Sequence, residues 1–170
     1  MINLATLRGG FFISICITPK TAIFASMELR LLIKPFASLT TAELYEIMKA
    51  RAEVFVVEQQ ILYNDMDDTD YRAIHIALLD GKTVIAYARA FLEEGHWHIG
   101  RVLTTIRGKG YGIKVMNAAI EELRRRGAHQ IVLDSQEYAI GFYKKLHFEV
   151  CSDLFDIDGI PHVKMTLRLD

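Results

Sequence analysis

The stretch Arg107-Gly108-Lys109-Gly110-Tyr111-Gly112 constrains this chain more than any other, because it follows a β-like run from Trp97 to Thr104 and leads straight into an amphipathic helical pattern. Glycines at alternate positions let a backbone turn through conformations that other residues rarely adopt. The bare N–H groups of such a turn then join the positive end of the helix that starts there. That arrangement suits an anion, pyrophosphate above all; the plain alternative is a strand-to-helix connector with no ligand. Spacing excludes two other phosphate motifs. A Walker P-loop needs Gly-Lys-Ser/Thr, yet Lys109 is followed by Gly110, and a dinucleotide fingerprint needs G-x-G-x-x-G, whereas these glycines fall at 108, 110 and 112.

Read as R-x-x-G-x-G, Arg107 to Gly112 joins other segments in a fixed order along the chain. They are Arg51-Ala52-Glu53-Val54-Phe55-Val56-Val57-Glu58-Gln59, Ala86-Tyr87-Ala88-Arg89, Ile99-Gly100-Arg101-Val102, Gly141-Phe142-Tyr143 and Asp158-Gly159-Ile160-Pro161-His162. Together they resemble the ElaA-type branch of the GNAT acetyltransferase superfamily, and ordered matches of this kind are far more specific than one glycine turn. The sequence departs from that pattern twice. The connection from Val102 to Arg107 is shorter than usual, and His147 stands where glycine usually precedes Phe148.

With 170 residues, 51% hydrophobic and 24% charged, the chain is long enough for one sizeable core and too short for two ordinary domains. A net charge of −1 with scattered Lys and Arg argues against nucleic acid as a partner. The one basic run, Arg124-Arg125-Arg126, falls at a helix end before Gly127, where cations complement the dipole and glycine suits the position after the cap. Cys16 and Cys151 build no disulfide framework, no Cys/His spacing matches a zinc site, and a reducing, cytoplasmic setting is expected. The acidic cluster Asp65, Asp67, Asp68 and Asp70 has Asp70 where an EF-hand needs Gly and Ile76 where it needs Glu, so no metal is expected. It reads instead as a solvated loop able to hold a cationic substrate.

Residues 1–26 read differently. They hold no Asp or Glu, and the apolar run Phe11 to Thr18 is far too short to span a bilayer, so no membrane is expected. A signal peptide is conceivable but Pro19-Lys20 interrupts it, and the domain is expected over residues 27–170, with 1–26 a dispensable leader.

Along the domain, Glu28 to Lys34 reads as a strand. Thr40 and Glu43 form a capping-box pattern with Leu39 and Leu44 as a staple, opening a helix with Leu44, Ile47, Met48, Ala52 and Phe55 on one face. Ile74 to Leu79 and Thr83 to Leu92 flank an Asp80-Gly81 turn, and a third strand passes through Trp97 and Ile99. After the glycine turn, Ile113, Met116, Ile120 and Leu123 recur at helical spacing, with Glu121 and Glu122 four residues before Arg125 and Arg126. A strand Gln130 to Leu133, a helix Ile140 to Leu146 and a hairpin from Phe148 to Leu169 turning at Asp158-Gly159 complete the chain. The fold class is thus α/β in the mixed α+β sense: a single-domain, mostly antiparallel mixed sheet flanked by helices, as the resemblance also implies.

The resemblance implies acetyl-CoA as co-substrate, a primary amine on a small molecule or peptide as acceptor, and direct attack in a ternary complex; a homodimer is compatible with it. An alkyl ammonium of pKa near ~10.4 must lose a proton before it attacks, and a thiolate of pKa near ~8.5 leaves more readily with a proton donor. Tyr143 matches the position of the tyrosine that protonates the coenzyme A sulfur in many such enzymes, against the alternative of a core aromatic beside Phe142 and Phe148. Glu58 is the first choice of base, an equally good account being a loop-capping carboxylate. His98 and His162 stand behind it as substrate-side groups. The backbone at Val102 and Leu103 would pair with the pantetheine arm, joined by Gln136. The turn Gly108, Gly110, Tyr111 and Gly112 would hold the phosphates, with charge from Arg107 and Lys109. The alternative function is an acyl-CoA-binding module that senses without turnover.

Overall fold

The computed structural model describes residues 28–60 and 63–169; the expected leader and Cys16 lie outside them. Strand β1 (Leu29–Pro35) leads through a 3-10 turn into helix α1 (Thr41–Arg51). The capping box forms as the spacing predicts: Thr40 Oγ1 accepts from the Glu43 N–H, and the Glu43 carboxylate accepts from the Thr40 N–H at 2.9 Å. Beyond Arg51 the helix continues as a π-helical segment, Ala52–Glu58, the i→i+5 form that is rare and often found at functional sites. One expectation fails on this helix. Ala52 is exposed, because the buried stripe is centred on Ile47, Arg51 and Val54, and a charged residue occupies the place that apolar periodicity assigns elsewhere.

A short helix α2 (Thr69–Arg72) precedes three antiparallel strands, β2 (Ile74–Asp80), β3 (Thr83–Glu93) and β4 (His96–Thr104). Helix α3 (Tyr111–Arg125) follows the glycine turn, then β5 (Gln130–Gln136), a 3-10 turn, α4 (Ile140–Lys144), and strands β6 (Glu149–Val150), β7 (Phe155–Ile157) and β8 (Ile160–Arg168). The sheet order is β1-β2-β3-β4-β5-β8-β6, with β7 also on β8, and β4/β5 is its parallel pair. The final hairpin is interrupted: residues 151–154 separate β6 from β7, both of which pair with β8, so the expected single strand is two short ones.

The sheet is covered on both faces. Ala86, Ala88 and Ala90 of β3 pack with Val115, Met116 and Ala119 of α3, small side chains that let helix and sheet approach closely. Val84 and Tyr87 of the same strand join Ile47, Ala50 and Val54 on the other face. A register shift against β2 between Leu78 and Leu79 allows this change of face within one strand.

Two helix ends share one device. At the end of α3 the Ala128 N–H bonds to Leu123 O and the Gly127 N–H to Arg124 O, with Gly127 at φ +78°. At the end of α4 the Phe148 N–H bonds to Tyr143 O and the His147 N–H to Lys144 O, with His147 at φ +66°. His147 thus fills a glycine-type position. On α3, Glu121 pairs with Arg124, and Glu122 with Arg125 and Arg126, so the expected Glu121 to Arg125 contact is replaced by one a residue nearer.

Candidate active site

The site begins where two strands part. β4 and β5 pair only at Trp97↔Ile131 and His98↔Val132, so the edge of β4 from Gly100 onward has no partner on the β5 side. On the β3 side, Tyr87 faces Leu103 and Arg89 faces Gly100, which places Arg101 and Val102 together opposite Ala88. This is a β-bulge, with Arg101 at φ +51°. The opening holds a cleft of about 350 Å³ lined by His98, Gly100, Arg101 and Val102 of β4, Asp134 and Gln136 of β5, Tyr143 of α4, His162 of β8 and Phe55 of the π segment.

Tyr143 is buried, with its ring edge-on to Phe142 at 5.0 Å and to Phe148 at 6.0 Å. Both sequence readings therefore meet in one residue, which packs with those two aromatics and also lines the cleft. Burial pushes its phenol well above the ordinary value, so it stays protonated and able to donate. His98 lines the same cleft, stacked on Phe91 at 5.5 Å. Burial pulls its imidazole below the ordinary value against the raising influence of Glu93 and Asp134, leaving it neutral at pH 7. His162 is buried with Nδ1 2.8 Å from Ile160 O.

Glu58 sits elsewhere. It is exposed, ion-paired to Arg107, and lines an adjoining opening with Gln59, Gln136 and Tyr138. Gln59 donates to the Tyr138 hydroxyl at 3.4 Å, bridging the π segment to the turn before α4. Leu103 is buried in the core, so only its backbone can meet a ligand.

Gly108 and Gly110 both have φ +73°, and Gly110 caps α3 from the left-handed region with no hydrogen bond from a capping side chain. Open space surrounds both glycines, and their backbone conformation alone accounts for the residue type. Gly112 has a different reason: a Cβ there would stand 3.3 Å from the Phe142 ring, so glycine lets α4 close on α3. Lys109 is exposed, and Tyr111 is buried in the core with Lys114 Nζ 5.8 Å over its ring.

The acidic stretch is not the solvated, substrate-holding loop that its composition suggests. Asp65 and Asp70 are buried, and with Asp67 they neutralise three arginines. Arg51, fully buried, donates from Nε to Asp65 at 2.8 Å and from Nη1 to Asp70 at 2.7 Å. Arg89 bonds Asp70 at 2.8 Å and Asp67 at 2.7 Å, and Arg101 Nε bonds Asp65 at 2.7 Å. Burial alone would raise the Asp65 and Asp67 carboxyls, but the guanidinium groups of Arg51 and Arg89 outweigh it and hold both below the usual range, Asp67 at about 2. Only Asp68 stays exposed. The missed signal was Arg89 within Ala86-Tyr87-Ala88-Arg89-Ala90, since a charge inside an apolar strand is rarely buried unless paired. Among the described residues no group of side chains could hold a metal ion, and no helix is long and apolar enough to cross a membrane.

Known proteins match this chain in sequence and in fold. The sequence pattern of the acetyltransferase (GNAT) domain covers residues 40–169. A UPF0039 protein of Schizosaccharomyces pombe is 41% identical over 149 residues, 84% of this chain and 99% of that protein. The crystal structure of an acyl-CoA N-acyltransferase from Pseudomonas aeruginosa superposes with a TM-score of 0.77 at 31% identity, over 81% of this chain and 98% of that one. Escherichia coli ElaA gives 0.76 at 27% identity over the same shares. The chain belongs to the GNAT acetyltransferase family and is an acyltransferase.

Proposed function

We propose that this protein transfers an acetyl group from acetyl-CoA to a primary amine by direct attack within a ternary complex. The observation that carries the reading is the parting of β4 from β5 at His98, with the bulge of β4 and Tyr143 on the walls of the resulting cleft. The pantetheine arm would lie along the free edge of β4 at Val102 and Leu103, adding to it as an extra strand would, with Gln136 beside it. The pyrophosphate would rest on the N–H groups from Gly108 to Gly112 at the start of α3, near Arg107 and Lys109.

In the chemical step the amine nitrogen attacks the thioester carbonyl, the C–S bond breaks, the amine loses one proton and the sulfur gains one. Tyr143 supplies the proton to sulfur. His98, in the same cleft and held neutral, takes the proton from the amine, with His162 beside the acceptor. Glu58, paired with Arg107 at the cofactor side, would exchange that partner when phosphates arrive and so steer the ammonium from the mouth. Acetyl-CoA and a panel of small-molecule and peptide amines, followed by free-thiol release, test the reading. Thiol release that depends on amine is expected, and Tyr143→Phe should lower kcat about 10²-fold with little change in KM for acetyl-CoA. Tight acetyl-CoA binding with no thiol release from any amine would favour a sensing module instead.

A further inference from the structure

We propose that Arg101 is a positioning residue for acyl transfer: Asp65 and Asp67 grip its guanidinium and thereby hold the β4 bulge in the conformation that presents Val102 to the cleft. The inference rests on the acyl-transfer reading of that cleft.

Arg101 occupies backbone space that a long L side chain rarely enters, φ +51°. Such a conformation persists only when the surroundings over-determine it. Here the determinants are visible. Arg101 Nε bonds Asp65 at 2.7 Å, Nη2 reaches Asp67 at 3.3 Å, and the guanidinium lies 5.5 Å over the Tyr63 ring. The anchor is itself fixed, since Asp65 also accepts from the Tyr63 hydroxyl at 2.9 Å and from Arg51 of α1 at 2.8 Å. A chain of charged hydrogen bonds therefore runs from α1 to the bulge.

The bulge decides which side chains meet the cleft. With Arg101 and Val102 opposite Ala88, Val102 lines the cleft while Leu103, opposite Tyr87, enters the core. A one-residue slip would exchange those faces. The extra residue of a bulge is left unpaired in the ladder, and β5 does not reach this part of β4, so its backbone groups remain for a ligand. Losing the grip should misplace the thioester carbonyl without dismantling the cofactor turn, which is built from other residues.

Three variants test this, Arg101→Ala, Arg101→Gly and Arg101→Lys, each checked for folding by its thermal midpoint and then measured in steady state with acetyl-CoA and the best amine. Alanine lacks the guanidinium and resists the left-handed conformation, whereas glycine lacks the guanidinium but enters that conformation freely. The expected kcat order is wild type, then Lys and Gly, then Ala, with Ala down about tenfold or more and KM for acetyl-CoA rising by a smaller factor than kcat falls. Wild-type kcat in the Ala variant, a loss confined to KM, or equal losses in Gly and Ala would overturn the proposal. Should Ala fail to fold, the Gly variant decides: a fall in kcat larger than any rise in KM supports the grip, and wild-type kcat overturns it. A wild-type protein that releases no thiol would overturn the acyl-transfer reading itself and this inference with it, whereas wild-type turnover with unaffected variants would overturn the inference alone.

Discussion

His147 ends α4 with the same pair of backbone hydrogen bonds that Gly127 makes at the end of α3, but at φ +66° it carries a side chain that this conformation disfavours. Its imidazole is exposed, so little packing compensates. His147→Gly should stabilise the protein by about 0.5–1 kcal/mol, the left-handed penalty less the extra chain entropy of glycine. Urea denaturation measures this, and a lower midpoint in the variant would show that the ring earns its place by a contact at the surface. The same scale separates what single residues reveal in a sequence from what they hide. The left-handed glycines of the turn were legible because glycine enters that conformation at no steric cost and is the default residue there. Arg101 was not, because nothing in an arginine codon position announces a positive φ; only its bulge and its two aspartates do.

Most elements were legible. Helix α1 announces its start through Thr40 and Glu43, α3 shows its buried face at Ile113, Met116, Ile120 and Leu123, and the β2–β3 turn is written in Asp80-Gly81. What escaped was the π segment, and with it the loop from Tyr63 to Asp70, which depends on long-range pairing with Arg51, Arg89 and Arg101 that no local window contains. Spacing alone made the four aspartates look like solvated charge; burial and three arginines make three of them, Asp65, Asp67 and Asp70, a structural clamp. Asp70 receives both Arg51 and Arg89, so Asp70→Ala leaves two buried guanidinium groups facing each other and should cost about 3–5 kcal/mol. The clamp also sets an acid limit. Asp65 and Asp67 titrate lower when folded than their ordinary 3.8, so the folded chain binds fewer protons than the unfolded one in this range. Their contribution is complete above about pH 4 and is lost as the pH falls towards about 2. Stability measured against pH should fall in that window, and a flat profile there would contradict the clamp.

At the scale of the molecule, α1 packs on one face of the sheet and α3 with α4 on the other, and among the described residues the sheet parts between β4 and β5, where the cleft forms. The order of the longer strands and of α1, α3 and α4 was readable from periodicity, but α2 and the division into β6 and β7 were not, nor was the parting, which depends on where pairing stops. The sequence favoured Glu58 as base from its place at the end of the first helix; the structure lines the cleft with His98 and Tyr143 and the adjoining opening with Glu58. The central claim is that acyl-CoA seats along the free edge of β4 with its phosphates at the start of α3. Amide hydrogen exchange with and without acetyl-CoA tests it directly. The account predicts slowed exchange at Val102 to Thr104 and at Gly110 to Gly112, with β1 and β2 unchanged; binding confirmed by calorimetry but with no protection at those two segments would contradict it.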